Sequence, residues 1–302
     1  MTLFAPISEG RDDCKAGEAP VRSRASLSRV NTTAASAPSD APLASTRIGE
    51  GPRRVAFLHG LMGRGRNFTG PAKELGDDFT VELIDLPDHG ASPWTDRVDY
   101  REIADRVAAH LRGGLAADGP VHLLGHSMGG KVAMVLALRH PELVDRLIVE
   151  DISPRLSPQA TDEFVHLLGT MLRMDLDAYD SRAEADAAMA EHVHDARVRG
   201  FLLQNLRRTA GHFAWQPNVA MLFEHLREIG SFPDPVVPED PERVFDHPVL
   251  WLAGAESDYV QDEDVPRMKE LFPRVVRVTV RDAGHWLHAD QPEAFVSAVR
   301  TF

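Results

Sequence analysis

The segment Gly125-His126-Ser127-Met128-Gly129 constrains the fold of this 302-residue chain more than any other feature. It follows a short apolar run, residues 121–125, and opens a helical pattern over residues 128–140 that Pro141 ends. Glycines around a serine at a strand-to-helix turn are typical of a nucleophile elbow, because the turn is strained and bulky neighbours would clash. The pattern predicts that Ser127 is a catalytic nucleophile. The alternative is a glycine-rich turn that carries a surface serine.

Apolar runs alternate with helical patterns along much of the chain. The predicted strands are residues 53–60, 80–86, 121–125, 146–149, 249–253 and 275–280, and the predicted helices between and after them are residues 100–111, 128–140 and 292–301. Such alternation favours an α/β fold with a mostly parallel sheet flanked by helices. Binding sites in such sheets lie beyond the carboxyl ends of the strands.

Residues 154–246 interrupt this alternation. They contain four helical patterns and a proline-rich return but no strand pattern; the helical patterns are residues 163–174, 183–194, 197–208 and 218–229. A helical insertion between two core strands predicts a cap, or lid, over the site. We therefore predict a core of residues 43–153 and 247–302, a helical cap of residues 154–246, and a disordered N-terminal extension of residues 1–42.

A serine hydroxyl needs a base, which in this chain order follows the last strand. Asp282-Ala283-Gly284-His285-Trp286 comes directly after the predicted strand 275–280, so His285 is the predicted general base. His288 is the fallback, with a structural role as its other interpretation. The acid has two candidates: Asp258 follows strand 249–253, and Asp151 follows strand 146–149. Both loops end at the carboxyl edge of the sheet, so either carboxylate can reach His285.

The oxyanion of an acyl-transfer reaction needs two backbone donors. The residue after the nucleophile, Met128, supplies one of them, and the loop after the first core strand supplies the other. Leu61 is the predicted second donor, and Met62 is the alternative. The structural interpretation is that His59-Gly60 only forms a tight turn at the end of the strand. Within the elbow helix, Lys131 is interpreted as a solvated or capping charge, and some aromatic residues of the cap are expected to face the site.

Composition excludes several classes of protein. Lys and Arg number 33 against 46 Asp and Glu, a net charge of −13 that argues against binding to nucleic acid or anionic lipid. A lone cysteine, Cys14, excludes an internal disulfide framework and a cysteine-based metal cluster. We find no metal or phosphate motif and predict no cofactor.

The sequence lacks a membrane span and a secretory signal. No apolar run is long enough to span a bilayer, and the N-terminus lacks a secretory pattern. A cytoplasmic enzyme is therefore expected. Organelle targeting through the Ala-, Ser- and Arg-rich residues 1–42 remains the alternative, although this stretch carries five acidic residues.

Four stretches resemble a known group of enzymes: residues 125–154, residues 58–68 (LHGLMGRGRNF), residues 181–203 and residues 283–292 (AGHWLHADQP). From about residue 43 the chain resembles the α/β-hydrolase superfamily, and within it the YbfF-type bacterial esterases and their mitochondrial abhydrolase relatives. The resemblance implies a cofactor-free serine esterase with a small cap, acting on short- to medium-chain acyl esters or thioesters. It also implies that Asp151, in its Asp-Ile-x-Pro turn, is the acid. The chain departs from the usual Arg-Asn-His-Gly turn at Pro87-Asp88-His89-Gly90.

Other functions use the same residues. A cofactor-free haloperoxidase, a C–C hydrolase or an acyltransferase can use this triad, whereas dehalogenases and epoxide hydrolases carry aspartate at the elbow. A non-catalytic binding protein with a hydrolase fold is the alternative from a different class. The expected partner is a small acyl ester, and the sequence leaves the oligomeric state open.

Overall fold

The computed structural model describes residues 41–156, 158–209 and 211–302. Residues 1–40, which make up almost all of the predicted extension and include Cys14, lie outside the described residues. Within the described part of the chain, no helix is long and apolar enough to cross a membrane.

A seven-stranded sheet forms the centre of the described fold, in the order β1-β3-β2-β4-β5-β8-β9. The strands in chain order are β1 (Ser45–Ile48), β2 (Arg53–Leu58), β3 (Phe79–Ile84), β4 (Val121–His126), β5 (Val144–Glu150), β6 (Leu206–Thr209), β7 (His212–Trp215), β8 (Val249–Gly254) and β9 (Val275–Val280). Strand β1 pairs antiparallel with β3, and the other pairs of this sheet are parallel. The predicted mostly parallel α/β sheet is therefore confirmed.

Helices cover both faces of this sheet. In chain order they are α1 (Thr69–Leu75), α2 (Tyr100–Arg112), α3 (Met128–Arg139), α4 (Pro158–Arg173), α5 (Arg182–Ala190), α6 (Ala196–Leu203), α7 (Val219–Glu224), α8 (Leu226–Gly230), α9 (Val265–Leu271), α10 (Leu287–Asp290) and α11 (Pro292–Thr301). Successive residues of β2 alternate between two buried clusters, since strand side chains point to opposite faces. One cluster includes residues of α1 and α11, and the other includes residues of α2, α3 and the segment between β5 and β8.

The two central strands β4 and β5 position the site. Every residue of β4 is buried, and β4 leads directly into α3. The last four residues of β5 are also buried, so its carboxyl end lies beside the end of β4. Residues that follow these two strands are therefore neighbours in space, although 24 positions separate Ser127 from Asp151 in the sequence.

The segment between β5 and β8 differs from its prediction in one respect. The prediction of no strand there is wrong, because β6 and β7 pair as a hairpin, and the helix expected over 197–208 ends at Leu203. The chain leaves the helix because the Asn205 side chain donates to the Met62 carbonyl and Leu206 is fully buried. Gly211, at a φ of 93°, takes the left-handed conformation that the hairpin turn requires. The helix expected over 218–229 is divided into α7 and α8.

Candidate active site

Ser127 lies at the turn between β4 and α3, with φ 52° and ψ −121°, a conformation that non-glycine residues rarely adopt. A Cβ on Gly125 would lie 2.2 Å from the Gly129 carbonyl oxygen. One on Gly129 would lie 2.4 Å from the Leu58 carbonyl oxygen. Only glycine fits at either position, so the motif residues allow the tight packing that holds the serine in this strained turn.

His285 and Asp151 form a hydrogen-bonded pair: His285 Nδ1 lies 2.8 Å from Asp151 Oδ2. The aspartate is completely buried, and its other oxygen accepts from the Gly254 N–H at 2.8 Å. The Ser257 hydroxyl also donates to Asp151. Asp258 is exposed on the same loop and makes no hydrogen bond to His285 in the described structure. The loop after β8 thus supports the Asp151 carboxylate with two donors.

Two further contacts hold His285, one to its backbone and one to its ring. Its backbone carbonyl accepts from His126 Nε2 at 2.8 Å, and its ring stacks on Tyr259 with centroids 3.8 Å apart. Burial, together with the neighbouring histidines, lowers the pKa of His126 well below its usual value, so His126 is a neutral N–H donor. Since Asp151 occupies Nδ1, the free ring nitrogen of His285 is Nε2, and both His285 and Ser127 line one cavity.

The loop after β2 leaves the Leu61 amide open. The Met62 N–H donates to His89 Nε2 at 3.1 Å, and the Gly63 N–H donates to the Gly60 carbonyl. Within the described residues, no acceptor is found for the Leu61 N–H. Met128 is the first residue of α3, where a backbone N–H has no partner inside the helix. Leu61, Met128 and Ser127 line the same small pocket, so the geometry favours Leu61 over Met62 as the second donor.

Two buried histidines hold this loop in place. His59 Nε2 accepts from the Leu86 N–H at 2.9 Å, and its Nδ1 donates to the Gly60 carbonyl. Burial lowers the pKa of His59 to about 4; burial and the charge of His59 lower the pKa of His89 to about 3. Both rings are therefore neutral, with Nε2 free to accept. His89 is not among the predicted site residues; the repeated His-Gly after β2 and after β3 is the sequence signal that points to it.

His288, the fallback base, is engaged elsewhere. Its backbone N–H and its Nδ1 both contact Glu150 Oε1, at 3.0 and 2.8 Å. The side chains of His126, Glu150 and His288 each offer one possible metal-ligand atom, and these atoms lie within 4.8 Å of one another. Among the described residues, this is the group that could hold a metal ion. No spaced metal motif marks them in the sequence, and the expectation of no metal stays a prediction.

Lys131 is buried and connects the elbow helix α3 to the end of α8. Its Nζ donates to the carbonyls of Gly230 and Ser231, at 2.6 and 2.8 Å, at the end of α8. Burial, with a smaller contribution from the charge of Arg155, lowers the pKa of Lys131 to about 7. From the sequence, Lys131 is interpreted as a solvated or capping charge; its side chain is buried, and its contacts are those of a group that caps the end of α8.

The cavity around Ser127 and His285 measures about 700 Å³. The segment between β5 and β8 contributes apolar side chains to its wall, namely Phe164, Leu167, Val198 and Phe201. Other large apolar residues of this segment, such as Met171 and Met221, are buried in the core. A second pocket of about 30 Å³ lies beside Ser127 and the two open amides. A carbonyl group between the serine and these amides thus has apolar space beside it.

Proteins of similar sequence and fold are named as lipases and esterases. The model of the alpha/beta hydrolase family matches residues 55–298. The chain is 36% identical over 253 residues to the sn-1-specific diacylglycerol lipase ABHD11 of Danio rerio, covering 82% of this chain and 77% of that protein. It is 28% identical over 251 residues to the esterase YbfF of Escherichia coli (strain K12), covering 82% and 92%. The solved structure of a marine microorganism esterase superposes with a TM-score of 0.81 at 33% identity, covering 86% of this chain and 99% of that one.

Proposed function

Starting from the fact that this chain belongs to the alpha/beta hydrolase family, we propose that it hydrolyses carboxylic esters through an acyl-enzyme on Ser127. One observation carries the proposal. The elbow serine, a histidine paired to a buried carboxylate and the open Leu61 amide meet at one cavity. This is the arrangement that acyl transfer requires.

The proposed reaction uses only groups of this chain and water. Ser127 Oγ attacks the acyl carbon while His285 Nε2 takes the hydroxyl proton, and the Leu61 and Met128 amides stabilise the oxyanion. Asp151 keeps the proton on His285 Nδ1 and stabilises the imidazolium. His285 then returns the proton to the departing alcohol. Water enters by the same route, attacks the acyl-enzyme and releases the acid.

The two cavities suggest how an ester is accommodated. The pocket of about 30 Å³ accepts a group of only a few atoms, whereas the cavity of about 700 Å³ accepts a medium-length chain. We place the longer of the two ester groups in the larger cavity, against Phe164 and Phe201. Short- to medium-chain esters or thioesters are the proposed substrates, and the names of the relatives add diacylglycerol as a substrate to test.

The test combines a substrate panel with one variant. Purified protein is assayed on p-nitrophenyl esters of two to twelve carbons, on acyl thioesters and on a diacylglycerol. Ser127→Ala should lower kcat by about 10⁴-fold or more while the thermal unfolding midpoint stays close to that of the wild type. Turnover near the wild-type rate in the purified variant would contradict the mechanism.

Two alternatives have distinct outcomes in the same assays. An acyltransferase would transfer the acyl group to an added alcohol in preference to water. A non-catalytic binding protein would not react with a fluorophosphonate probe, which should label the wild type and spare Ser127→Ala. The cap boundaries (154–246), a cytoplasmic location and a lack of nucleic-acid partners stay predictions.

A further inference from the structure

A third cavity, of about 590 Å³, is lined by a concentration of positive charge that the proposed hydrolysis does not use. It lies where the loop after β2 meets α5, α6 and β6. Five arginines and one acidic residue line it: Arg64, Arg66, Arg182, Arg199, Arg207 and Asp186. The chain as a whole has a net charge of −13, so the charge of this cavity lining is opposite in sign to that of the whole protein.

Hydrogen bonds to uncharged groups orient Arg64 and Arg182 but do not neutralise their positive charges. Arg182 donates to the carbonyls of Leu203 and Leu206, and Arg64 donates to the Gln204 carbonyl at 2.5 Å. A carbonyl oxygen accepts a hydrogen bond but carries no full charge, so these contacts hold the guanidinium groups in place and leave their positive charge. Among the charged residues that line the cavity, Asp186 is the acidic one, and it pairs with Arg199 at 2.8 Å.

Arg64 shows the electrostatic consequence. Its side chain is almost completely buried, and within the described residues its Nε has no hydrogen-bond partner. Burial, and after it the charges of Arg66 and Arg207, lower the pKa of Arg64 to about 10, with Asp85 acting in the opposite direction. Mutual repulsion of this kind is relieved when an anion enters between the guanidinium groups.

The cavity is separate from the one that contains Ser127. Along α6, Arg197, Val198 and Phe201 line the cavity of Ser127, while Arg199 and Leu203 line the arginine cavity. At 100° per residue these two sets point to opposite sides of the helix. A hydrogen bond from Asn67 to Gln204, 2.8 Å long, joins the two walls.

We propose that the arginine cavity is a binding site for a phosphate or diphosphate group, distinct from the site of ester hydrolysis. Guanidinium groups bind phosphate oxygens through paired, charge-assisted hydrogen bonds, and several converging arginines suit a group with more than one negative charge. The volume leaves room for the molecule that carries the phosphate. A soluble phosphorylated metabolite and the headgroup of an anionic phospholipid share this chemistry.

Calorimetric titration with inorganic pyrophosphate tests the site on the full chain. We expect a Kd below about 1 mM at moderate salt, weakened about tenfold by Arg66→Gln and again by Arg207→Gln. Both side chains are exposed, so their replacement should leave the thermal unfolding midpoint unchanged. Arg281→Gln, which removes the same charge from outside the cavity, is the matched control and should bind as the wild type does.

Co-sedimentation with vesicles separates the two sources of phosphate. Binding of pyrophosphate without binding to phosphatidic acid vesicles indicates a soluble metabolite. Binding to those vesicles but not to neutral ones, lost in Arg66→Gln, indicates a lipid headgroup. If neither probe binds, or if Arg281→Gln weakens binding as much as the cavity variants do, the proposal is wrong.

Discussion

Asp151 occupies the position where one carboxylate orients the imidazole of His285. It is fully buried, receives two supporting donors and contacts Nδ1 at 2.8 Å, whereas Asp258 is exposed and makes no hydrogen bond to His285 in the described structure. The backbone of Asp151 has a φ of 50°, so like Ser127 it is held in a rarely populated conformation. The two carboxylates therefore have different expected contributions to catalysis.

We expect Asp151→Asn to lower kcat by at least several hundredfold, because the tautomer and orientation of His285 are lost. Asp258→Asn is the matched control and should change kcat by about tenfold or less, as an exposed substitution does. Steady-state kinetics on one p-nitrophenyl ester measure both variants. The reverse order of losses would make Asp258 the acid.

The segment between β5 and β8 contacts the proposed oxyanion loop directly. Asn205, buried at the end of α6, donates its side-chain N–H to the Met62 carbonyl at 2.7 Å. The amide of that same Met62 is bonded to His89, so the peptide groups on both sides of Met62 are held. The Leu61 carbonyl shares a peptide group with the Met62 N–H, so this anchoring fixes one side of Leu61.

Asn205→Ala should therefore lower kcat about tenfold or more with a smaller change in KM, since a lost buried hydrogen bond costs about 1–3 kcal/mol. Arg208→Ala, at an exposed position of the adjoining strand β6, is the control and should leave kcat unchanged. A change in KM alone would show that Asn205 acts on substrate entry and not on the loop.

Helix α6 also supplies an apolar wall to the larger cavity. Phe201 packs against Trp286 with ring centroids 5.4 Å apart, and both residues line the cavity. Phe223, a partly buried aromatic residue of α7, does not line it.

Phe201→Ala should lower kcat/KM for an eight-carbon ester about tenfold and change it less than about threefold for an acetyl ester. The reason is that each buried methylene contributes about 0.8 kcal/mol. Phe223→Ala, measured on the same pair of esters, should keep the wild-type ratio. An unchanged ratio in Phe201→Ala would mean that α6 does not contact the longer ester group.

Stability of the entire fold should depend on pH through its buried histidines. His59, His89 and His126 have pKa values lowered by burial, so the unfolded chain binds more protons than the folded chain between about pH 4 and 6.5. The free energy of unfolding should then fall as the pH falls through this window, by about 1.4 kcal/mol per pH unit for each histidine.

Urea denaturation from pH 4 to 7 measures this slope. His89→Gln removes one titrating group and keeps a side-chain acceptor, so its slope should be smaller by about one proton per molecule. A pH-independent free energy of unfolding over this range would show that the buried histidines are already protonated in the folded state.

Local patterns were sufficient for the sheet, the elbow and the histidine loop. Each of these depends on residues close together in the sequence: an apolar run before a glycine-flanked serine, or a His-Gly pair after a strand. The parallel strands of the sheet and the positions of Ser127 and His285 could therefore be predicted. Strand β1 could not, because its four residues are mostly exposed and carry no apolar pattern.

Contacts between distant residues were decided only by the tertiary structure. His285 and Asp151 are 134 positions apart, and the residues alone left Asp258 equally able to reach the imidazole. The engagement of Met62 by His89 and the early end of α6 at Leu203 also depend on partners from other elements. The same holds for the arginine cavity, whose lining residues span positions 64 to 207. A sequence pattern shows the hydrophobic period of a segment and the chemistry of its side chains. The contacts between side chains of distant segments depend on how those segments pack in the folded protein.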